Sequence, residues 1–126
     1  MTDMLTIRTD GGRTWFRPGE VIEGEVSWLL DTDADALEVR LFWYTSGKGT
    51  RDVEIVDSSR PSVPGQNGNR SFCLQAPDGP YSFSGKLITL AWALELVVEP
   101  GGASERLDLV IGPRPVEVQL GRPDDF

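Results

Sequence analysis

Carboxylate, hydroxyl and thiol side chains are the groups in this 126-residue sequence that could do chemistry, because it contains no histidine. The missing imidazole excludes Ser-His-Asp and Cys-His catalysis and removes the commonest metal ligand. Asp31, Asp33 and Asp35 have the alternate spacing of a calcium loop, but an EF-hand needs glycine at its sixth position and glutamate at its twelfth. Those positions hold Ala36 and Phe42. We therefore expect a solvated turn and no metal, with the three aspartates as an alternative calcium site.

Two further groups could act as nucleophiles. Ser82 and Ser84 lie close to Lys86 in the sequence, but a lysine that activates a serine must be desolvated. Lys86 begins a predicted strand, where we expect it to be exposed. Cys73 has neither a histidine nor a second cysteine as partner, so a semi-buried, inert thiol is expected.

Paired carboxylates suit glycosidase chemistry when they flank a cleft. Glu23 and Glu25 form one pair, and Asp52 and Glu54 form another, each two positions apart. Side chains two apart share one face of a strand, and acids there are usually the solvated side of a sheet. We expect a protein that is not an enzyme and needs no cofactor. A histidine-free enzyme that uses carboxylates stays open as an alternative.

The elements that position these groups are predicted to be β-strands. Large apolar residues occupy every even position from Ile88 to Val98, which indicates a strand with one face in a core. The same period recurs at residues 22–30, 37–44, 72–76, 107–111 and 116–120, and more weakly at 5–7 and 53–56. By this pattern Trp28, Trp43 and Trp92 belong to the core.

Turn-forming glycines, prolines and aspartates separate the predicted strands, and no amphipathic helix lies between them. This organisation predicts an all-β protein, an antiparallel two-sheet sandwich of the immunoglobulin type with about seven to nine strands and little or no helix. Residues 1–121 are expected to form one domain, followed by a short C-terminal tail at 122–126.

Two stretches resemble arrestin-family domains. Residues 16–26, Phe-Arg-Pro-Gly-Glu-Val-Ile-Glu-Gly-Glu-Val, are similar to the opening of an arrestin sandwich. Residues 80–88, Pro-Tyr-Ser-Phe-Ser-Gly-Lys-Leu-Ile, are similar to the family's turn into a long central strand, which Trp92-Ala93-Leu94-Glu95 would continue. The resemblance implies an arrestin-like sandwich with a scaffolding or adaptor role. Such proteins usually pair two of these domains, and this chain has room for one.

The charge, apolar content and cysteine count of the sequence limit the classes of partner and the cellular compartment that we expect. The formal net charge is −8 with two lysines, so nucleic acid and anionic membrane surfaces are unfavourable partners. No stretch of the sequence is apolar for long enough to insert in a membrane. One cysteine allows no internal disulfide, and the N-terminus lacks the features of a signal peptide, so a cytoplasmic protein is expected.

Three aromatic residues are candidates for binding. Trp15 lies beside Phe16 between two arginines, a composition typical of interface hot spots, although it could instead cap the end of the sandwich. Phe42 and Tyr44 alternate with core residues, so they would form an apolar stripe on an uncovered face. We expect a protein partner or self-association. A sandwich that binds a small ligand or carbohydrate, with or without calcium, is the alternative.

Overall fold

The computed structural model describes residues 3–47, 52–61, 65–85, 88–99, 102–113 and 118–119. The predicted tail at 122–126, Lys86 and most of the predicted strand at 116–120 lie outside these residues. The strands are β1 Met4–Thr9, β2 Trp15–Phe16, β3 Val21–Leu29, β4 Ala36–Gly47, β5 Val53–Ser59, β6 Asn67–Gln75, β7 Phe83–Ser84, β8 Ile88–Glu99, β9 Ser104–Ile111 and β10 Val118–Gln119. Among the described residues the one helical segment is a 3-10 turn, Asp10–Gly12. The all-β prediction is confirmed.

Two sheets pack face to face. The described strands give a three-stranded sheet in the order β1-β3-β6 and a seven-stranded sheet built on β5-β4-β8. On its other side β8 pairs with β7 near its start and with β9 along residues 92–97. All pairings among the long strands are antiparallel, as expected.

Two parallel pairings were not predicted. β2 pairs with β9 and β10 with β7, each over two residues. A parallel pair between consecutive strands needs a long crossover, usually a helix. These partners are distant in sequence, so other strands make the connection and no helix is required.

The core lies between the two sheets. Its largest contributions come from the alternate residues of β3, β4 and β8 that the sequence pattern selected, and β1, β2, β6 and β9 add further side chains. Trp92, Leu94 and Leu96 of β8 are fully buried, and Trp28 of β3 is 3% exposed. Trp43 is half-buried and packs against the edge of this core. The hydrophobic face of each sheet is thereby removed from water, which is the main favourable term in folding.

Gly24 is the point of closest packing in the smaller sheet. It lies on the central strand β3, opposite Thr9 of β1 and Phe72 of β6. A Cβ atom at this position would collide with the carbonyl oxygen of Arg8 and would lie 2.7 Å from Cζ of Phe72. Gly24, which belongs to the first arrestin-like stretch, is therefore required because the backbone of Arg8 and the ring of Phe72 approach it closely.

We predict that Gly24→Ala lowers the free energy of unfolding by about 1–3 kcal/mol, because an added methyl group overpacks a site that cannot widen. Gly112→Ala is the matched control, since its Cβ would have its nearest contact at 4.0 Å, with Tyr81. Urea unfolding followed by tryptophan fluorescence measures both variants. Equal destabilisation of the two would contradict the steric explanation.

Candidate functional site

Ser82, one of the two serines considered as nucleophiles, is buried and hydrogen-bonded to backbone. Ser82 is 2% exposed, and its Oγ accepts a hydrogen bond of 3.1 Å from the amide of Ile111. Its own amide donates to the carbonyl of Ile111 at 2.8 Å. Ser82 thus fastens the approach to β7 onto the end of β9. The neighbouring indole of Trp92 donates to the carbonyl of Pro80 at 2.8 Å and holds the same corner.

Asp31, Asp33 and Asp35 of the alternative calcium site are not brought together in the described structure. Within the described part of the chain, no three acidic or cysteine side chains come together in a way that could hold a metal ion. Asp31 and Asp35 instead make backbone contacts: their amides donate to Oδ1 of Asp3 at 3.0 Å and to the carbonyl of Glu99 at 2.8 Å. The segment with Asp33 is the exposed turn between β3 and β4, because short acidic residues satisfy turn backbone well.

The carboxylate pairs and the thiol lie on accessible sheet surfaces: Glu23, Glu25 and Cys73 are on the outer face of the smaller sheet, and Glu54 is on the face of β5 that it shares with Trp43. Glu25 forms an ion pair with Arg8 at 2.7 Å, and Glu23 lies opposite Cys73 in the register of β3 and β6. Cys73 is exposed, so the expected partial burial is wrong. The reason is that Phe72 and Leu74 take the inner face of β6 and no described element covers its outer face. Asp52 and Glu54 are also exposed.

Trp15 closes one end of the sandwich. It is half-buried, and its Nε1 donates a 3.0 Å hydrogen bond to the carbonyl of Gly112. The guanidinium of Arg17 stacks on its ring at 4.9 Å from the centroid. These contacts correspond to the capping alternative, in which the aromatic side chain is held by the fold. A role for Trp15 in binding stays a prediction.

The turn before β3 is fastened by one carboxylate. Pro18 and Gly19 occupy the middle of a turn in which the amide of Glu20 donates to the carbonyl of Arg17 at 3.1 Å. Gly19 has φ 81°, which suits the third position of a type II turn. The Glu20 carboxylate accepts two bonds from Arg13, at 2.8 and 2.9 Å, and one from the amide of Arg17. These donors lower the pKa of Glu20 to about 2.

Phe42 and Tyr44 lie on the outer face of the larger sheet, where the sequence placed them. Their ring centroids are 6.0 Å apart. Phe42 is 8% exposed and opposite Ala93, whereas Tyr44 is half-buried. Arg106 crosses from β9 over the intervening strand and donates to the hydroxyl of Tyr44 at 2.9 Å, with its guanidinium 4.8 Å from the ring centroid. Phe42 is therefore the floor of this surface and Tyr44 its accessible part.

A depression of about 370 Å³ lies beside these rings. Phe42, Tyr44, Val53 and Arg106 line it together with the hydroxyls of Thr45 and Ser46. Its polar groups do not form a nucleophile and base pair, since they are a phenol, two aliphatic hydroxyls and a guanidinium that bonds the phenol. The geometry suits apolar contact with a side chain and offers a few hydrogen-bonding groups at the rim.

The exposed edge of β5 was missed as part of this surface. Val53 and Ile55 pair with Tyr44 and Phe42, and their side chains are 67% and 50% exposed. Leu41 pairs with Asp57, so Val56 is the extra residue of a β-bulge. The sequence contained a signal, because three β-branched apolar residues in four positions break the alternation expected of a half-buried strand.

Together, the sheet order, the core and the two family-like stretches define an arrestin-like β-sandwich. Among solved structures, the fold is similar to that of the sporulation control protein Spo0M from Bacillus subtilis, with a TM-score of 0.64. The match covers 90% of this chain at 17% identity and spans 50% of that protein. The resemblance is thus confirmed for the fold. No protein-family model and no curated protein sequence matches the chain.

We predict that Glu20→Gln removes part of the acid sensitivity of folding. The folded pKa, about 2, lies below the ordinary 4.5, so the stabilisation is complete above pH 4.5 and is lost as the pH falls toward 2. Urea midpoints measured across this range should fall less in the variant than in the wild type. Glu105→Gln, at an exposed position of β9, is the control. Identical slopes for wild type and Glu20→Gln would contradict the assignment.

Proposed function

We propose that this chain is a non-catalytic protein-interaction module that binds a protein partner through the outer face of its larger sheet. The observation that carries the proposal is the continuous surface formed by Tyr44, the depression beside it and the exposed side chains of Val53 and Ile55. Apolar residues of this size on neighbouring strands mark interaction sites more often than isolated ones do. The arrestin-like fold is consistent with such a role, but function has to be argued from the surface.

The positions and hydrogen bonds of the potentially reactive side chains support a non-catalytic role. The sequence lacks histidine, the hydroxyl of Ser82 is buried and bonded to backbone, and the described carboxylate pairs lie on open sheet surface. The half-buried acid Glu38 is held by Arg40 at 2.6 Å and by Arg60 at 3.5 Å. The bond from Arg40 lowers the pKa of Glu38, which keeps it ionised and satisfied.

Charge and context narrow the class of partner. A net charge of −8 opposes binding to nucleic acid. The exposed apolar side chains of Val53 and Ile55 favour a protein partner over a small ligand or carbohydrate. No helix in the described part of the chain is long and apolar enough to cross a membrane. The lone thiol, exposed and without a disulfide partner, is compatible with the reducing environment of the cytoplasm, where we place the module.

We predict that Val53→Glu with Ile55→Glu removes the partner in affinity capture from the native lysate, because two charges would be desolvated in the contact. Substituting Phe42 is unsuitable, since a charge at a residue 8% exposed would disturb folding. Val21→Glu with Leu29→Glu is the matched control, because those side chains are 42% and 51% exposed on the other sheet. Thermal unfolding of both variants checks that each is folded.

A protein retained by the wild type and the control but lost from the test variant supports the proposed surface. The proposal fails if the folded test variant captures the same proteins as the wild type. It also fails if the two double variants lose the same protein equally, because the effect would then come from added charge and not from this face.

A further inference from the structure

We propose, building on the proposed function, that strand β5 accepts an extended segment of the partner as an additional strand, and that this segment alternates apolar residues with lysine or arginine. Main-chain hydrogen bonds to an exposed edge give affinity in this mode of recognition, and alternate side chains give specificity. The argument rests on the open edge of β5, the chemistry of its side chains and the charge around it.

The first half of β5 is an edge without a described strand beside it. β5 pairs with β4, and no second strand among the described residues pairs with it. β6 approaches the second half, where Oδ2 of Asp57 accepts a 2.9 Å hydrogen bond from the amide of Gln75. The bulge at Val56 separates this covered half from Val53–Ile55. Among the described residues, an added strand therefore has room along Val53–Ile55.

The first half of β5 carries apolar side chains on its outer face, whereas Glu54 lies on the other face, opposite Trp43. Lysine and proline, which commonly block sheet edges, are absent from Val53–Ile55. Val53 and Ile55 are instead β-branched, apolar and at least half exposed. The edge strand β6 of the smaller sheet is more polar, since its exposed positions include Asn67, Asn69 and Arg70. The larger sheet is thus the one that presents an apolar edge.

Strand alternation dictates the sequence of the occupant. Residues of an added strand that lie next to Val53 and Ile55 share the outer face and reach the depression beside Tyr44. The intervening residues of the added strand share the face of Glu54. Both Glu54 and Asp52 are exposed. Arg106 already bonds the hydroxyl of Tyr44, so it forms a wall of the depression. Apolar side chains suit the first set of positions, and cations suit the second.

The net charge favours a basic partner over a second copy. Two chains of charge −8 repel each other on approach, whereas a cationic segment is attracted to the molecule as a whole and to Asp52 and Glu54 locally. Steering of this kind weakens with added salt, because screening shortens the range of the interaction. The proposal therefore predicts salt-dependent binding of a basic segment.

A synthetic peptide of about six residues that alternates valine and lysine tests the inference by fluorescence anisotropy. The full chain should bind it at least about tenfold more tightly than a peptide alternating valine and glutamate. The third probe is the valine–lysine peptide methylated at its central backbone nitrogens, which keeps its charges but loses its main-chain donors. It should also bind at least about tenfold more weakly, because strand pairing is removed.

The surface is tested with Val53→Lys/Ile55→Lys, which blocks the edge, and with Val21→Lys/Leu29→Lys, which adds the same charge to the other sheet. Loss of the basic peptide in the first variant alone supports strand addition at β5. Equal binding of the methylated and unmethylated peptides, or equal loss in both variants, overturns it. Sedimentation that shows dimers broken by the β5 variant would identify a second copy as the occupant and also overturn it.

The two proposals fail separately. If the lysate protein is lost on substitution of Val53 and Ile55 but no basic peptide binds, the interaction surface stands and strand addition of a basic segment is wrong. If the lysate protein is retained by Val53→Glu/Ile55→Glu, the proposed interaction surface itself is wrong, and binding of the basic peptide would reflect charge alone.

Discussion

The pairing of β4 with β8 is the constraint on which the rest of the molecule depends. Twelve residues of each strand are in antiparallel register, from Ala36 opposite Glu99 to Gly47 opposite Ile88. A slip of one residue would turn every large apolar side chain of one strand from the core to solvent. Burial of Trp92 and its neighbours therefore fixes the register. The same register places Phe42 and Tyr44 on the outer face, opposite Ala93 and Ala91, and leaves β5 at the edge.

Polar contacts close the sandwich where the sheets leave gaps. The Glu20 carboxylate joins Arg13 to the turn before β3, and Asp57 links β5 to β6 across one corner. Ser82 fastens β7 to β9 at another. Each of these groups would be costly to leave unpaired at a sheet end, because backbone donors there have no ladder partner. Glu20 and Ser82, which lie in the two family-like stretches, are thereby held by contacts within the fold.

The core that defines the fold and the surface proposed for binding consist of different residues. The similarity to Spo0M concerns the strand order and the core, and 17% identity leaves the surfaces free to differ. The proposed interaction surface contains the bulge at Val56, the apolar edge beside it and Arg106 across Tyr44. These residues are not members of the core between the sheets.

The sequence alone determined the longer strands, the buried tryptophans Trp28 and Trp92, and the faces of Phe42 and Tyr44, because period-2 alternation maps directly onto the two faces of a sheet. It did not reveal the two-residue strands β2 and β7. Tertiary structure alone decided that Phe42 is buried, that Cys73 is exposed, and that β5 pairs with β4 alone among the described strands. Those properties depend on which distant segments cover a strand, and local spacing carries no information about the neighbours that other parts of the chain supply.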